Sequence, residues 1–172
     1  MGSLGGKYLT FILDNETYGI PIKKVKEIIG LMEITHIPKT QQHVKGVINL
    51  RGKIIPVMDL RLKFAMVGKP YNDRTCIIVI ESNQFENNRL MGVIVDTVAE
   101  VINIQQSQIE DPGCDAQIEG GFLTGLGKLK DSVILILDID QIFNLEDFAG
   151  MKKGLSTEEA LPKKEPAEVS LG

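Results

Sequence analysis

The sequence predicts an all-β fold made of two small units, each with about five short strands and one short helix. Apolar residues fall in short runs separated by turn residues, which is typical of strands. Glycine accounts for 17 of the 172 residues, above the average share of ~7%, and suits many turns. One stretch of the chain also recurs in its second half. The length allows two such units without disulfides or metal.

A hairpin opens the predicted fold. Apolar alternation over residues 8–13 predicts a first strand, Asp14 and Asn15 predict a turn, and residues 18–22 predict a second strand. Residues 23–29 then carry apolar side chains at helical spacing, which predicts about two turns of helix. The β-branched residues of this segment would also suit a strand.

A second hairpin follows, because two apolar runs at residues 44–50 and 53–60 flank the turn residues Arg51 and Gly52. Further strands are predicted at residues 75–80, 91–95 and 133–139. The last of these is apolar at nearly every position, so we expect it to be buried on both faces.

The repeat joins residues 19–29 to residues 92–102 without a gap. Identical pairs are Gly19/Gly92, Val25/Val98, Glu27/Glu100 and Ile29/Ile102. Small barrels remove exposed strand edges, so two barrels are expected, with an open two-layer arrangement as the alternative. The matched apolar segments are candidates to line a groove between the units. Burial in an ordinary core is the competing interpretation.

We expect one domain over residues 7–150, with halves at approximately residues 7–70 and 71–148. An exchange of strands between the halves would not be visible in the sequence pattern and stays open. From Met151 the chain is rich in balanced charge and proline and has no aromatic residue. Residues 151–172 are therefore predicted to form a disordered tail.

No catalytic or metal-binding pattern stands out. His36 and His43 lack nearby ligands of the kind that a metal site needs. The glycines before Lys128 lack the spacing and the following hydroxyl residue of a phosphate-binding loop. No Gly-x-Ser-x-Gly sequence is present. We therefore expect no catalytic residue, metal or cofactor, and a protein that is not an enzyme.

Charge and composition argue against nucleic acid or membrane as partners. The formal net charge is −4, aromatic residues make up 5% and tryptophan is absent, which disfavours a nucleic-acid-binding barrel. No apolar run approaches the ~18 residues of a membrane-spanning helix. The first residues do not resemble a signal peptide, and two cysteines do not make a disulfide framework. We expect a cytoplasmic protein.

Two charged residues are candidates for a binding role. Arg51 is expected at the tip of a hairpin, either as a solvated turn residue or as an interface anchor, since arginine is enriched among binding hot spots. Glu27 is the one acid among the lysines of its predicted helix. Its competing interpretation is an exposed intrahelical pair with Lys23 or Lys24.

The sequence resembles the CheW family of chemotaxis coupling proteins. The motifs are Tyr18-Gly19-Ile20, Val25-Lys26-Glu27-Ile28, Leu123-Thr124-Gly125-Leu126-Gly127 and above all residues 44–61. The resemblance covers about residues 7–148. It implies two five-stranded SH3-like β-barrels and a non-enzymatic adaptor that joins the cytoplasmic tips of methyl-accepting chemotaxis receptors to the regulatory domain of the histidine kinase CheA. The same block occurs in that kinase domain and in CheV proteins, so a fragment of either is the alternative.

The resemblance also implies which residues bind. Positions matched to receptor engagement are Ile22, Val25, Glu27, Arg51, Val98 and Val101. Lys45 and Gly46 lie in a matching segment and are assigned to partner binding with less support. From the repeat, we infer that the pairs Val25/Val98 and Ile28/Val101 form two walls of a groove that accepts a helical hairpin.

Overall fold

The computed structural model describes residues 4–82, 89–113 and 122–143. In these ranges the chain forms eleven strands, two four-residue α-helices and two short 3-10 helices. The strands are β1 (Gly6–Leu13), β2 (Glu16–Pro21), β3 (Val25–Gly30), β4 (Val44–Leu50), β5 (Lys53–Asp59), β6 (Cys76–Ser82), β7 (Arg89–Val95), β8 (Thr97–Ile104), β9 (Ile109–Glu110), β10 (Leu123–Lys128) and β11 (Val133–Leu137). Helix α1 is Leu60–Lys63 and α2 is Ile139–Ile142. The predicted tail at 151–172 lies outside the described residues.

The strands form two sheets, which confirms the all-β prediction. Sheet A has the order β8-β1-β2-β11-β10-β9, and sheet B has the order β3-β6-β7-β5-β4. Sheet A has six strands rather than the expected five, but β9 is only two residues long.

Each sheet contains strands from both halves of the sequence, so the two halves exchange strands. Sheet B is built from the continuous run β3 to β7, whereas sheet A combines β1 and β2 with the strands that follow β7. Two parallel pairings make this exchange, β2 with β11 and β5 with β7. The sheets therefore do not coincide with residues 7–70 and 71–148.

The exchange is reciprocal and follows the sequence repeat. Gly19 of β2 lies opposite Ile136 of β11, and Gly92 of β7 lies opposite Val57 of β5. A Cβ atom added to Gly19 would lie 3.0 Å from a methyl group of Ile134, and one added to Gly92 would meet an isoleucine methyl at the same distance. The methyl near Gly92 belongs to Ile77 of β6, and a methyl of Val57 on β5 lies at 3.2 Å. Both glycines therefore lie in tight contact with the strand they pair with in parallel, in agreement with the repeat.

The predicted helix over residues 23–29 is wrong. A 3-10 turn at Ile22–Lys24 leads directly into strand β3. Val25 lies opposite Ile80 of β6 and Ile28 lies opposite Ile78, so β3 holds one residue more than its partner across this interval. Such a β-bulge brings residues at i and i+3 onto one side of the sheet and imitates the periodicity of a helix.

Strand β8 repeats the bulge. Val98 lies opposite Phe11 and Val101 lies opposite Leu9, again with one extra residue. The buried hydroxyl of Thr10 fills this bulge, because it donates to the carbonyl of Glu100 at 2.7 Å and accepts from the same residue's N–H at 3.1 Å. The side chain thereby satisfies backbone groups that the irregular ladder leaves unpaired.

Each sheet curls toward closure through the segment that follows its edge strand. Behind β3, Thr35 exchanges two backbone hydrogen bonds with Val47 of β4, at 2.8 and 2.9 Å. Behind β8, the short strand β9 pairs with β10. Because each contact joins one edge region to the opposite edge, both sheets take the form of small barrels.

The largest core lies between the sheets rather than inside either one. It combines buried side chains of both sheets, including Leu9, Phe11, Ile20, Met58, Ile78, Val93, Leu137 and Ile142. Smaller clusters occupy the other faces, one around Ile55, Ile77 and Val79 in sheet B and one around Tyr8, Ile104 and Ile134 in sheet A. The two units are therefore held together by a shared hydrophobic interior.

We predict that Thr10→Val lowers the free energy of unfolding by about 1–3 kcal/mol, because it removes both hydrogen bonds between the buried Thr10 hydroxyl and the backbone of Glu100. Urea unfolding measures the change. Thr17→Val, at a half-buried position of the neighbouring strand β2, is the matched control. Equal effects of the two substitutions would contradict the role given to the Thr10 hydroxyl.

Candidate partner-binding surface

The edge strands β3 and β8 carry an apolar surface to the margin of the shared core. Val25 and Val98 are half-buried and pack against this core from different sheets, as does Ile22 from the turn before β3. Ile28 and Val101 are 42% and 50% exposed. The two bulges place these residues on the same side of their sheets as the core-facing partners in β6 and β1. The four residues Val25, Ile28, Val98 and Val101 are here called the β3/β8 rim.

Glu27 and Arg51 form a two-point ion pair on sheet B. The two guanidinium nitrogens of Arg51 donate to the two carboxylate oxygens of Glu27 at 3.1 and 2.5 Å. Glu27 belongs to an edge strand and Arg51 to the β4–β5 turn, at the other edge of the same sheet. The pair therefore spans the open side of the barrel. The competing interpretation of Glu27, an intrahelical pair with Lys23 or Lys24, is wrong, because β3 is a strand and Glu27 pairs with Arg51.

The turn that holds Arg51 is tight. Arg51 and Gly52 have φ values of 52° and 90°, and the side chain of Asn49 accepts a hydrogen bond from the Gly52 N–H at 2.9 Å. Two-residue hairpin turns with positive φ at both positions favour asparagine or glycine at the first of them. An arginine here is not the residue that the turn itself prefers.

The ion pair is exposed, with the Arg51 side chain 68% accessible. Pairs of this kind add little to stability. The hydrogen bond from Arg51 lowers the pKa of the Glu27 carboxyl, and the nearby positive charge acts in the same direction. The pair thus keeps an oriented guanidinium at the surface, which is a feature suited to recognition.

Gly46 has a structural role that its sequence position does not reveal. It is buried, with φ of 140°, and a Cβ atom built on it would lie 2.0 Å from the carbonyl oxygen of Thr35. The closure of sheet B into a barrel, here called barrel B, therefore requires glycine at this position. Lys45 precedes it at a bulge in β4 and is half-buried.

The sequence interpretation missed a set of polar residues, buried or half-buried, beside the short helices. Asp59 and Asp138 cap α1 and α2 through their side chains. The Tyr71 hydroxyl donates to Asp59 at 2.7 Å, and burial together with this carboxylate raises the Tyr71 pKa, so the phenol stays a protonated donor. The sequence contained a signal for the two aspartates, because Val57-Met58-Asp59-Leu60 resembles Ile136-Leu137-Asp138-Ile139.

Within the described part of the chain, no three histidine, cysteine, aspartate or glutamate side chains come together as metal ligands. The same residues include no helix of the length and apolarity needed to span a bilayer. Cys76 is a free, half-buried thiol.

Comparison with known proteins gives consistent matches. Residues 7–147 match the CheW-like domain family. The chemotaxis protein CheW of Klebsiella aerogenes is 39% identical over 148 residues, which cover 86% of this chain and 87% of that protein. The chemotaxis protein CheV3 of Helicobacter pylori is 29% identical, and the match covers 74% of this chain but 41% of that protein.

A solved structure shares the fold. The crystal structure of scaffolding protein TtCheW from Thermoanaerobacter tengcongensis aligns with a TM-score of 0.74 at 36% identity, and the match covers 81% of this chain and 93% of that one. This likeness supports the architecture of two SH3-like units.

We predict that Arg51→Ala raises the pKa of Glu27 back toward its ordinary value, as measured by NMR titration of the side-chain carboxyl. In the parent protein the pair contributes above the unfolded-state pKa of Glu27, and its contribution disappears as the pH falls through the lowered folded-state value. An unchanged titration of Glu27 in Arg51→Ala would show that the pair does not persist in solution.

Gly46→Ala is expected to lower the free energy of unfolding by more than about 3 kcal/mol, because the new methyl group would overlap the backbone of Thr35. Gly30→Ala is the control, since a Cβ atom there meets nothing within 4 Å. Chemical denaturation compares them. A small, equal change in both variants would contradict the packing role of Gly46.

Proposed function

Since the chain belongs to the CheW family, we propose that it is a non-enzymatic adaptor that couples methyl-accepting chemotaxis receptors to the histidine kinase CheA. The observation that carries the proposal is the family match over residues 7–147. We place the protein in the cytoplasm, at receptor arrays beside the inner membrane. It binds no nucleic acid and does not insert into the bilayer itself.

The alternative is a regulatory module of a CheA-type kinase or of a CheV-type protein. Coverage favours the adaptor, because the match takes in 87% of the Klebsiella aerogenes CheW and 41% of CheV3. The stand-alone CheW proteins thus correspond to this chain over most of their length.

The β3/β8 rim is the proposed receptor contact. A receptor tip is a helical hairpin, and an amphipathic helix binds by laying apolar side chains into a groove. Val25 and Val98 flank the shared core from the two sheets, and Ile22 extends this surface. Val101 adds an exposed apolar side chain beside them.

Glu27 and Arg51 are the proposed polar anchor of the same interaction. Arginine held in a fixed orientation loses little conformational freedom on binding, which makes it an effective hot spot. The pairing with Glu27 supplies that orientation in the free protein. A receptor carboxylate can then bind the Arg51 guanidinium while the arginine side chain keeps the rotamer it has in the free protein.

For the kinase we propose barrel B as the contacted unit, with Lys45 and its neighbours on β4 as candidate contacts. Gly46 is buried, so we propose that it supports the fold of the barrel and does not itself contact the kinase. Signal transfer requires only that contacts with receptor and kinase differ between the active and inactive states of the complex.

We predict that the protein strongly stimulates CheA autophosphorylation in the presence of receptor membranes. The increase should appear when kinase, receptor and adaptor are all present, and each pair of components is a control. A folded protein that binds the kinase regulatory domain but never raises kinase activity would contradict the coupling function.

Arg51→Ala is expected to reduce receptor-dependent kinase activation by at least about tenfold, as for an interface hot spot. Its free energy of unfolding should stay close to that of the parent protein, because the pair is exposed. Lys128→Ala removes a similarly exposed lysine paired with Glu110 at 2.8 Å and serves as control. A parallel loss of thermal stability in Arg51→Ala would assign the residue to the fold instead.

A further inference from the structure

A buried arginine joins the two sheets at one of the places where the chain passes between them. Arg61 of α1 follows the last residue of β5 in sheet B. Its guanidinium contacts Asp96, in the link from β7 to β8, at 2.7 Å, and Asp14, in the β1–β2 turn of sheet A, at 3.3 Å. The backbone N–H of Asp14 also donates to Asp96 at 2.8 Å. The Arg61 side chain is only 9% exposed.

A second cluster lies at the other passage. Asp140 of α2 follows β11 of sheet A. Its carboxylate contacts the ammonium group of Lys24, in the link from β2 to β3, at 2.9 Å, and accepts from Ser82 at the end of β6, in sheet B, at 3.2 Å. The Lys24 and Asp140 side chains are both about three-quarters buried, with 24% and 20% exposed.

The two clusters are equivalent in position and opposite in charge. Arg61 and Asp140 each stand two residues after the aspartate that caps their helix, Asp59 or Asp138. Each binds one group from the link and one from the other sheet. The helix supplies the positive charge in the first cluster and the negative charge in the second. If each helix packed on the other link, Arg61 would meet Lys24 and Asp140 would meet Asp96, so like charges would lie together.

Both clusters adjoin the proposed binding surface. Lys24 directly precedes Val25, and Asp96 lies two residues before Val98, so each link leads straight into one half of the β3/β8 rim. If one sheet rotates against the other, the β2–β3 link has to move relative to α2 or the β7–β8 link has to move relative to α1.

We propose that the Arg61–Asp96–Asp14 and Asp140–Lys24–Ser82 clusters are two inter-sheet clamps that set the separation of β3 and β8. Lys24 and Asp140, together with Arg61 and Asp96, are positioning residues: they act through the placement of Val25 and Val98. The consequence for receptor binding rests on the proposed function. The separation itself does not, because it is a property of the isolated protein.

The test measures that separation directly. Gly30 and Asn103 are exposed, equivalent positions of β3 and β8, and they lie outside the proposed contact residues. Gly30→Cys and Asn103→Cys are introduced together into a chain with Cys76→Ser and Cys114→Ser, and both sites are labelled with nitroxides. Double electron–electron resonance then gives the distribution of distances between the edge strands.

Lys24→Met is expected to broaden the distance distribution and shift its mean. Asp140→Asn should change the distance distribution in the same direction. This second variant keeps the test valid if circular dichroism shows that Lys24→Met is unfolded. The reversed pair Lys24→Asp with Asp140→Lys should return the distribution toward that of the parent. If the substitutions acted only by removing packing contacts, the reversed pair would not restore the distance distribution.

Lys26→Met is the matched control. Lys26 stands two residues away and pairs with Glu81 of β6 at 2.9 Å, within sheet B alone. It should leave the distribution unchanged. The proposal is overturned if folded Lys24→Met and Asp140→Asn proteins keep the parent distribution, or if Lys26→Met alters it as much as they do. No receptor or kinase is present, so this outcome is independent of whether the proposed receptor contact is correct.

Discussion

The reciprocal pairing of β2 with β11 and of β5 with β7 is the constraint on which the structure depends. Each pairing is parallel, so neither can be made by a short hairpin. The chain crosses to sheet B and returns before β11 pairs with β2, whereas β5 reaches β7 through α1 and β6 within sheet B. Gly19 and Gly92 permit the close approach of the paired strands. The consequence is a large core between the sheets, to which both units contribute.

This arrangement explains why a binding surface can draw on distant parts of the sequence. The links that leave β2 and β7 open into the edge strands β3 and β8, and the bulge in each strand turns two apolar residues toward the shared core. A receptor helix laid on this surface would contact both units at once. An adaptor whose contact surface spans two units can respond to a change in their separation, which gives a physical route for linkage between receptor and kinase.

The sequence predicted the class of fold and the repeat because both can be read from short stretches of sequence: apolar runs between turn residues, and the match of residues 19–29 with 92–102. The helix predicted at residues 23–29 failed because a bulge and a helix give the same i, i+3 spacing, and only the partner strand distinguishes them. The exchange of strands is set by pairing between residues as far apart as Gly19 and Ile136. The same holds for Glu27 and Arg51, which are 24 residues apart and meet only when the barrel closes. The residue pattern and then the family resemblance singled out these two residues, whereas their pairing required the structure.

Methyl NMR of the labelled protein, titrated with a receptor cytoplasmic-tip fragment, shows whether both sheets contact the receptor. We predict shifts of the Val25, Val98 and Val101 methyl resonances at the same fragment concentrations, so that both sheets respond together. Val133, exposed on β11 to a similar extent as Val101, should stay unperturbed. Shifts confined to one sheet, or larger at Val133 than at the rim, would contradict a receptor site that spans the two units.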